Sequence, residues 1–297
     1  MKLSYKFYTF FLFCLAVSCK KDKEEPTVSP APDNGIVKVK NFNKVDIDGN
    51  IYLNVHYTPQ STGEVKIVSE KYRTSVKVES LNGELIINAD ENLPLSSQII
   101  VDISVPTLVG LRLENNQQSV ITWDTDLNIQ SVEIVTEASS ELEIRNFKAA
   151  NFSSRQETGS LLTISGGTVI STPSVFSGDI IEIDKNTIVV DNKILVKGDK
   201  IESNQSGSPA SYTVYGNAVS YPFINSGMFT AEGNARLSAE NFPVKNLDIK
   251  LSGNSNAKVW CYNFLTGKGE GNSLLSYKGT PAVNYSVSDN AAIHQLQ

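Results

Sequence analysis

The chain has little of the chemistry on which enzymes and metal sites draw. Its 297 residues include two histidines, three cysteines and two methionines. His56 and His294 stand far apart, and no His-x-x-His or clustered Cys/His spacing occurs, so no metal site is read from the sequence. Neither a Gly-x-Gly-x-x-Gly turn nor a P-loop is present. The nearest glycine-rich piece, TGKGEGNS from Thr266, lacks a strand–turn–helix setting and reads as a surface loop. No cofactor is implied. Positive charge is also scarce. The 26 Lys and Arg against 32 Asp and Glu leave a net charge of −6 without a basic stripe, which argues against nucleic-acid binding. No stretch sustains a 3.6-residue period. Crossover helices are therefore missing, and with them doubly wound sheets and α/β barrels.

The start of the chain is different in kind. Lys2 and Lys6 precede a run of eleven mostly apolar residues, Phe7 to Val17, and the run stops at Ser18-Cys19 before Lys20-Lys21-Asp22-Lys23-Glu24-Glu25. A basic end, a short apolar core and a small residue before a cut form a secretory signal. The run is too short to span a bilayer, which takes roughly 20 residues. Leu15-Ala16-Val17-Ser18-Cys19 resembles the lipobox of bacterial lipoproteins. That resemblance implies a signal peptide over 1–18, lipidation of Cys19 and attachment to the membrane through the lipid anchor. Residues 19–36, charged and then proline-rich, read as a disordered tether. The acidic stretch after Cys19 resembles the export tag of surface lipoproteins in the Bacteroides group. The expected location is the outer membrane, facing either the periplasm or the outside. With Cys14 removed and Cys19 acylated, Cys261 is the one remaining thiol; no intrachain disulfide can form, and within KVWCYNF it reads as a small buried hydrophobe.

From Val45 onward, apolar and polar residues alternate in short runs: VDI, IYLNV, VKV, LII, IIVDISV. Period two means strands, so the class is all-β. LNGEL places Asn82-Gly83 between two strands as a hairpin signal. A slower rhythm runs through the middle. LEI at Leu142, LTI at Leu162, IEI at Ile181 and IES at Ile201 follow at steps of 20, 19 and 20 residues. Such a period suits a parallel β-solenoid, with DNKILVKGDK supplying corners. It also suits a β-sandwich, in which strands recur every 8 to 12 residues. The periodicity alone leaves both open. On this reading residues 37–110 form an N-terminal β lobe or cap and 111–297 the solenoid body.

Several landmarks together resemble the autotransporter-adhesin head GIN domain family of Bacteroidetes. Phe42, Val45, Ile47, Gly49, Ile51, Leu53 and Val55 match its opening strands, and Asn82, Gly83, Leu85 and Ile87 its "nG-x-L-x-I" element. Leu247, Ile249, Ser252, Gly253 and Val259 match its closing coil, and Tyr277, Gly279 and Pro281 its final element. The resemblance spans roughly residues 37 to 294. It implies a right-handed parallel β-helix with short strands, or two β lobes in tandem, and an adhesin role.

Candidate site residues are aromatic. Tyr212, Tyr215, Tyr221 and Phe223 cluster in SPASYTVYGNAVSYPFI, and Trp260, Tyr262 and Phe264 alternate in VWCYNF. Aromatics on one strand face can stack on sugar rings or bury against a partner; core packing is the competing reading. Glu133, Glu143 and Glu182 lie mid-strand and would matter to a carbohydrate-active β-helix enzyme, which needs paired carboxylates. Asp184 and Asp199 are the candidate calcium ligands, without the spacing of known calcium coils. The expected function is non-enzymatic: an envelope lipoprotein that binds glycans or surface proteins, or serves as a scaffold. The alternative is a polysaccharide lyase or glycoside hydrolase.

Overall fold

The structure, a computed structural model, describes residues 27–30 and 34–297, apart from 61–62, 91, 95, 115–117, 124–128, 158, 192, 205–210 and 223. The signal segment, Cys19, the first part of the tether and Phe223 lie outside the described residues. Strands dominate; the one described helical turn is a 3-10 helix over Glu70–Ser75. No described helix is long and apolar enough to cross a membrane.

Alternation in the sequence becomes alternation of burial. In Ile99–Val105 the residues Ile99, Val101, Ile103 and Val105 point inward, while Ile100, Asp102 and Ser104 are half-exposed. Twenty described strands join in one sheet. On one side, inward residues align in register from Leu111 to Ile134, Ser154, Phe229, Ile249 and Gly267. On the other side the row is Ser119, Leu142, Leu162, Leu237, Ala257 and Leu275. Aliphatics stack in ladders, as in Leu142, Leu162 and Leu237, while the bulkiest rings find small neighbours, as Phe229 finds Ser154. Gly227 shows the constraint: a Cβ there would come within 2.6 Å of the Phe152 ring.

The two sides are continuous. Arg236–Leu251, a 16-residue strand, pairs at its start with Leu161–Ser165 and at its end with Ile224–Ala231. The 14-residue strand Asn256–Gly269 likewise pairs with Leu274–Lys278 and then with Ala282–Val287. The sheet therefore wraps into a nearly closed, barrel-like shape around a single core reaching from Val37 to Leu275. Where the sides meet, aromatic rings fill the corner. Phe152 lies 4.8 Å from Phe229 and 5.2 Å from Phe242, and Phe147 lies 5.1 Å from Trp123. Near the N-terminus antiparallel strands join the sheet: Glu64–Ile67 on Ile99–Val105 and Val76–Leu81 on Glu84–Ala89. The latter pair turns at Asn82 (φ 53°) and Gly83 (φ 79°), the left-handed pair that a tight hairpin requires. Thr27–Pro30 pairs antiparallel with Val76–Leu81.

The right-handed parallel β-helix expected from the sequence is not the fold. The sheet mixes parallel and antiparallel pairs and closes back on itself, and the regular repeat fails after Ser165. Leu142 does pair with Leu162, but Ile181 pairs antiparallel with Val189, and Ile201 antiparallel with Val214. The strand beside Leu162 is the one at Leu237. Between them, residues 168–222 form an insertion of two antiparallel sheets, one of five strands and one of three. These enclose their own core of Ile188, Val190, Val196, Tyr212, Val214 and Ala218. The physical reason lies in the segment TIVVDNKILV. Asp191, at φ 50°, starts a reversal that folds Thr187–Val190 back on Ile194–Lys197, so the supposed corner is a hairpin.

Two outcomes test this architecture. Phe152→Ala opens the aromatic corner and is expected to cost about 3–5 kcal/mol, read as a lower urea midpoint with an unchanged slope. Asp46 is half-buried, and its carboxyl is pushed up to about 6, first by burial and then by Glu114, against the pull of Arg112, with Glu84 and Asp48 adding to the rise. The folded state thus holds this proton more tightly than the unfolded chain. The stabilisation is complete below the unfolded carboxyl's ordinary range and is lost as pH rises through about 6. Asp46→Asn should raise the melting temperature at about pH 8 and leave it nearly unchanged at about pH 4; thermal unfolding across that range decides it.

Candidate functional site

The insertion meets the barrel through one face of its five-stranded sheet. Val189 and Leu195, with Ile183 and Tyr221 partly buried beside them, pack on Trp260 and Tyr262 of the long strand Asn256–Gly269. This explains why Thr187–Val190 is buried throughout: Ile188 and Val190 face the insertion's own core while Val189 faces the barrel. Trp260 centres the contact. Tyr221 meets it edge-on at 5.3 Å, Tyr262 lies 5.6 Å away, and the ammonium groups of Lys197 and Lys278 sit 5.6 and 5.8 Å from its ring.

Beside this junction a crevice of about 640 Å³ opens between barrel and insertion. The barrel contributes the corner from Asn146 to Ala150, with Gln130, Ile224 and Asn225; the insertion contributes Thr168, Lys193, Ile194, Ser220, Tyr221 and Pro222. Asn146 turns the corner at φ 57°, a conformation asparagine tolerates. Gly167 sits at φ 112°, and a Cβ there would approach the Tyr221 ring to 2.7 Å. The Tyr221 ring is therefore seated against the bare backbone of Gly167 and packed near-perpendicular to Trp260. Burial raises the Tyr221 hydroxyl above its usual range. A rigid aromatic face, amides, hydroxyls and two ammonium groups can bind a polar ligand; they do not form a nucleophile–base pair.

The anticipated site residues scatter. Tyr221, Trp260 and Tyr262 come together at the junction, although Tyr221 is distant from the other two in sequence. Tyr212 is buried in the insertion's core. Tyr215 is half-exposed on the insertion, with Lys200 5.9 Å from its ring and Glu202 hydrogen-bonded to its hydroxyl. The alternation of Trp260, Tyr262 and Phe264 does not give one face. Cys261 pairs with Val244 and Phe264 with Asn246, so an irregularity intervenes and Phe264 is left 52% exposed. Phe264 and Met228 border a second, shallow groove of about 570 Å³ on the outer sheet. Cys261 is buried, and burial pushes its thiol up to about 12, so at neutral pH it is not a nucleophile.

The carboxylates are dispersed. Glu133 lies on the strand Ile129–Thr136 and Glu143 on Glu141–Arg145, on opposite sides of the barrel, and Arg145 holds Glu143 through contacts of 2.7 and 3.0 Å. That ion pair lowers the Glu143 carboxyl. Glu182 has its backbone in the insertion. Asp184 and Asp199 accept turn N–H groups, from Asn186 at 2.8 Å and Asn217 at 2.9 Å. Among the described residues no group of three or more His, Cys, Asp or Glu is arranged to hold a metal. Sequence reasoning missed Gly167, Lys148 and Lys193. The Gly166-Gly167 pair just before the insertion was the one available signal.

Barrel and insertion together define an all-β protein with a crevice at their junction. Residues 41–179 match the family described as "Putative auto-transporter adhesin, head GIN domain". Among solved structures, a "putative adhesin" from Bacteroides fragilis NCTC 9343 is similar, with a TM-score of 0.57 at 13% identity, covering 92% of this chain and 98% of that one. A "Putative lipid binding protein" from Parabacteroides distasonis ATCC 8503 gives a TM-score of 0.48 at 11% identity, with 92% and 98% covered. The first of these likenesses speaks for the fold alone. No curated protein matches the chain.

Gly167→Ala tests how the crevice is built. The added methyl must displace Tyr221, so the variant should fold cooperatively while Trp260 fluorescence shifts to the red and changes its accessibility to quenchers. An unchanged Trp260 environment would refute the seating of Tyr221 on Gly167.

Proposed function

We propose that the protein is a non-catalytic, lipid-anchored adhesin of the outer-membrane surface that holds a saccharide in the crevice between barrel and insertion. The observation that carries this reading is the Tyr221 ring, fixed by Gly167 and Trp260 in the wall of a crevice whose lining combines apolar side chains such as Ala149, Ile194 and Pro222 with amides, hydroxyls and two lysines. A sugar ring presents an apolar face that stacks on an aromatic plane and an edge of hydroxyls that pair with amides. The family description supports adhesion, as does the name of the similar Bacteroides fragilis protein. The lipobox at Leu15 to Cys19 supplies the anchor. Two or more acyl chains on Cys19 hold stably, since each buried CH₂ contributes about 0.8 kcal/mol. The 570 Å³ groove at Phe264 is shallower and open along the sheet, which makes it the weaker candidate.

A glycan array probed with the chain from residue 20 onward, which keeps every described residue, tests the reading. Binding is expected to a defined set of glycans. Tyr221→Ala should weaken it by about tenfold or more, in line with the 1–3 kcal/mol that aromatic stacking contributes in other systems, while Phe264→Ala leaves it unchanged. An array without binders, or a Tyr221→Ala variant that binds as the parent does, would rule this function out.

A further inference from the structure

The crevice carries a charge pattern that narrows the ligand. We propose, resting on the saccharide reading above, that its ligand is an acidic sugar whose carboxylate is held between Lys148 of the barrel and Lys193 of the insertion. Both lysines line the crevice, one from each of its opposing parts, and among the described residues no Asp or Glu lines it. This is a local inversion in a chain whose net charge is −6.

The carboxylates nearest in sequence are already engaged elsewhere. Asp191, two residues before Lys193, turns its Oδ1 to accept the N–H of Asp179 at 2.9 Å. Glu143, on the strand leading to the Lys148 corner, is held by both the Nε and an Nη of Arg145. Neither lysine side chain has an ion-pair partner among the described residues. By contrast Lys200 and Lys268 pair with Glu202 and Glu270, and Arg155 with Glu157. Lys148 is half-buried and Lys193 exposed, so their ammonium groups are available at low desolvation cost.

The kind of cation matters. Lysine is a compact point charge that suits a single carboxylate on a flexible ring substituent, whereas a planar arginine fork would favour bidentate docking. No arginine lines the crevice. The amides of Asn146 and Asn225 and the Tyr221 ring supply the contacts that a sugar needs besides its charge. A ligand spanning the two lysines also ties the insertion to the barrel, so binding should raise the melting temperature.

The test uses the same chain on an array that carries uronic and sialic acid glycans, their carboxyl-methyl esters and neutral counterparts. The acid-bearing members are expected to bind, and esterification should weaken them by about tenfold. Lys148→Gln and Lys193→Gln should each cost about threefold to fivefold and together abolish the preference for acid over ester, with cooperative unfolding retained. Binding of acids and esters should converge as salt rises from low to high ionic strength. If neutral glycans or esters bind as well as acids, or if the double variant keeps the preference, the acidic-ligand inference fails while the saccharide site stands. If sulfated glycans bind and carboxylated ones do not, the carboxylate assignment fails. If no glycan binds, both readings fall.

Discussion

Everything in this molecule depends on lateral register. A sheet that wraps around one core can fill it only if the inward side chains of successive strands pack in register, aliphatic on aliphatic and ring beside small residue. Phe152 sits over Gly227, and Ser154 lies between Ile134 and Phe229. Hydrogen-bonded strands hold side chains about 4.8 Å apart, and at this spacing Gly227 leaves room for the Phe152 ring beside it. The rings are offset into the corner shared by Trp123, Phe147, Phe152, Phe229 and Phe242, where edge-to-face contacts replace stacking. That corner is also where the long strand Arg236–Leu251 bends from one side of the sheet to the other.

The same register governs the turns. Gly233, Gly253 and Gly271 stack at positive φ, and a Cβ on Gly271 would come within 2.7 Å of the Gly253 carbonyl. Beside them the amides of Asn234, Asn254, Asn272 and Asn290 form a ladder with bonds of 3.0 to 3.1 Å. A turn that must lie flat on the turn below has no room for a side chain at one position and needs a donor–acceptor at the next. Asp289 takes the glycine's place in the last turn, and its carboxylate accepts the Gly271 N–H at 3.1 Å.

How much of this could be read beforehand follows from range. Alternation is local, so the strands and the Asn82-Gly83 hairpin were legible from neighbours alone. The spacing between Leu142 and Leu162 reflects a real pairing, but the same spacing onward to Ile181 and Ile201 does not. Two strands of an antiparallel hairpin consume about as many residues as one lap of a stacked layer, and period carries no information about direction. TIVV and ILV held the better clue. Apolar residues in succession mark a strand buried on both faces, and here those faces belong to the insertion's core and to the barrel. The aromatic candidates were half legible. Tyr221, Trp260 and Tyr262 converge, whereas Tyr212 serves the insertion's core. Lys148 and Lys193 were invisible, because a lysine in a sequence looks the same whether it faces water or a crevice.

The insertion explains why a site exists at this place. Its two ends are neighbours, since a Cβ on Gly166 would lie 3.9 Å from the Pro222 ring. The chain therefore leaves the barrel and returns to the same point, and Leu162 finds Leu237 as though nothing intervened. A segment joined in this way adds surface without disturbing register, but it must bury one face or remain loose. Trp260 provides that face, clasped by Tyr221 and Tyr262 and by the cations of Lys197 and Lys278. Beside that contact a gap remains between barrel and insertion, and Tyr221 borders both. The gap is walled by residues of both parts, from Asn146 to Ala150 on the barrel and from Ser220 to Pro222 on the insertion.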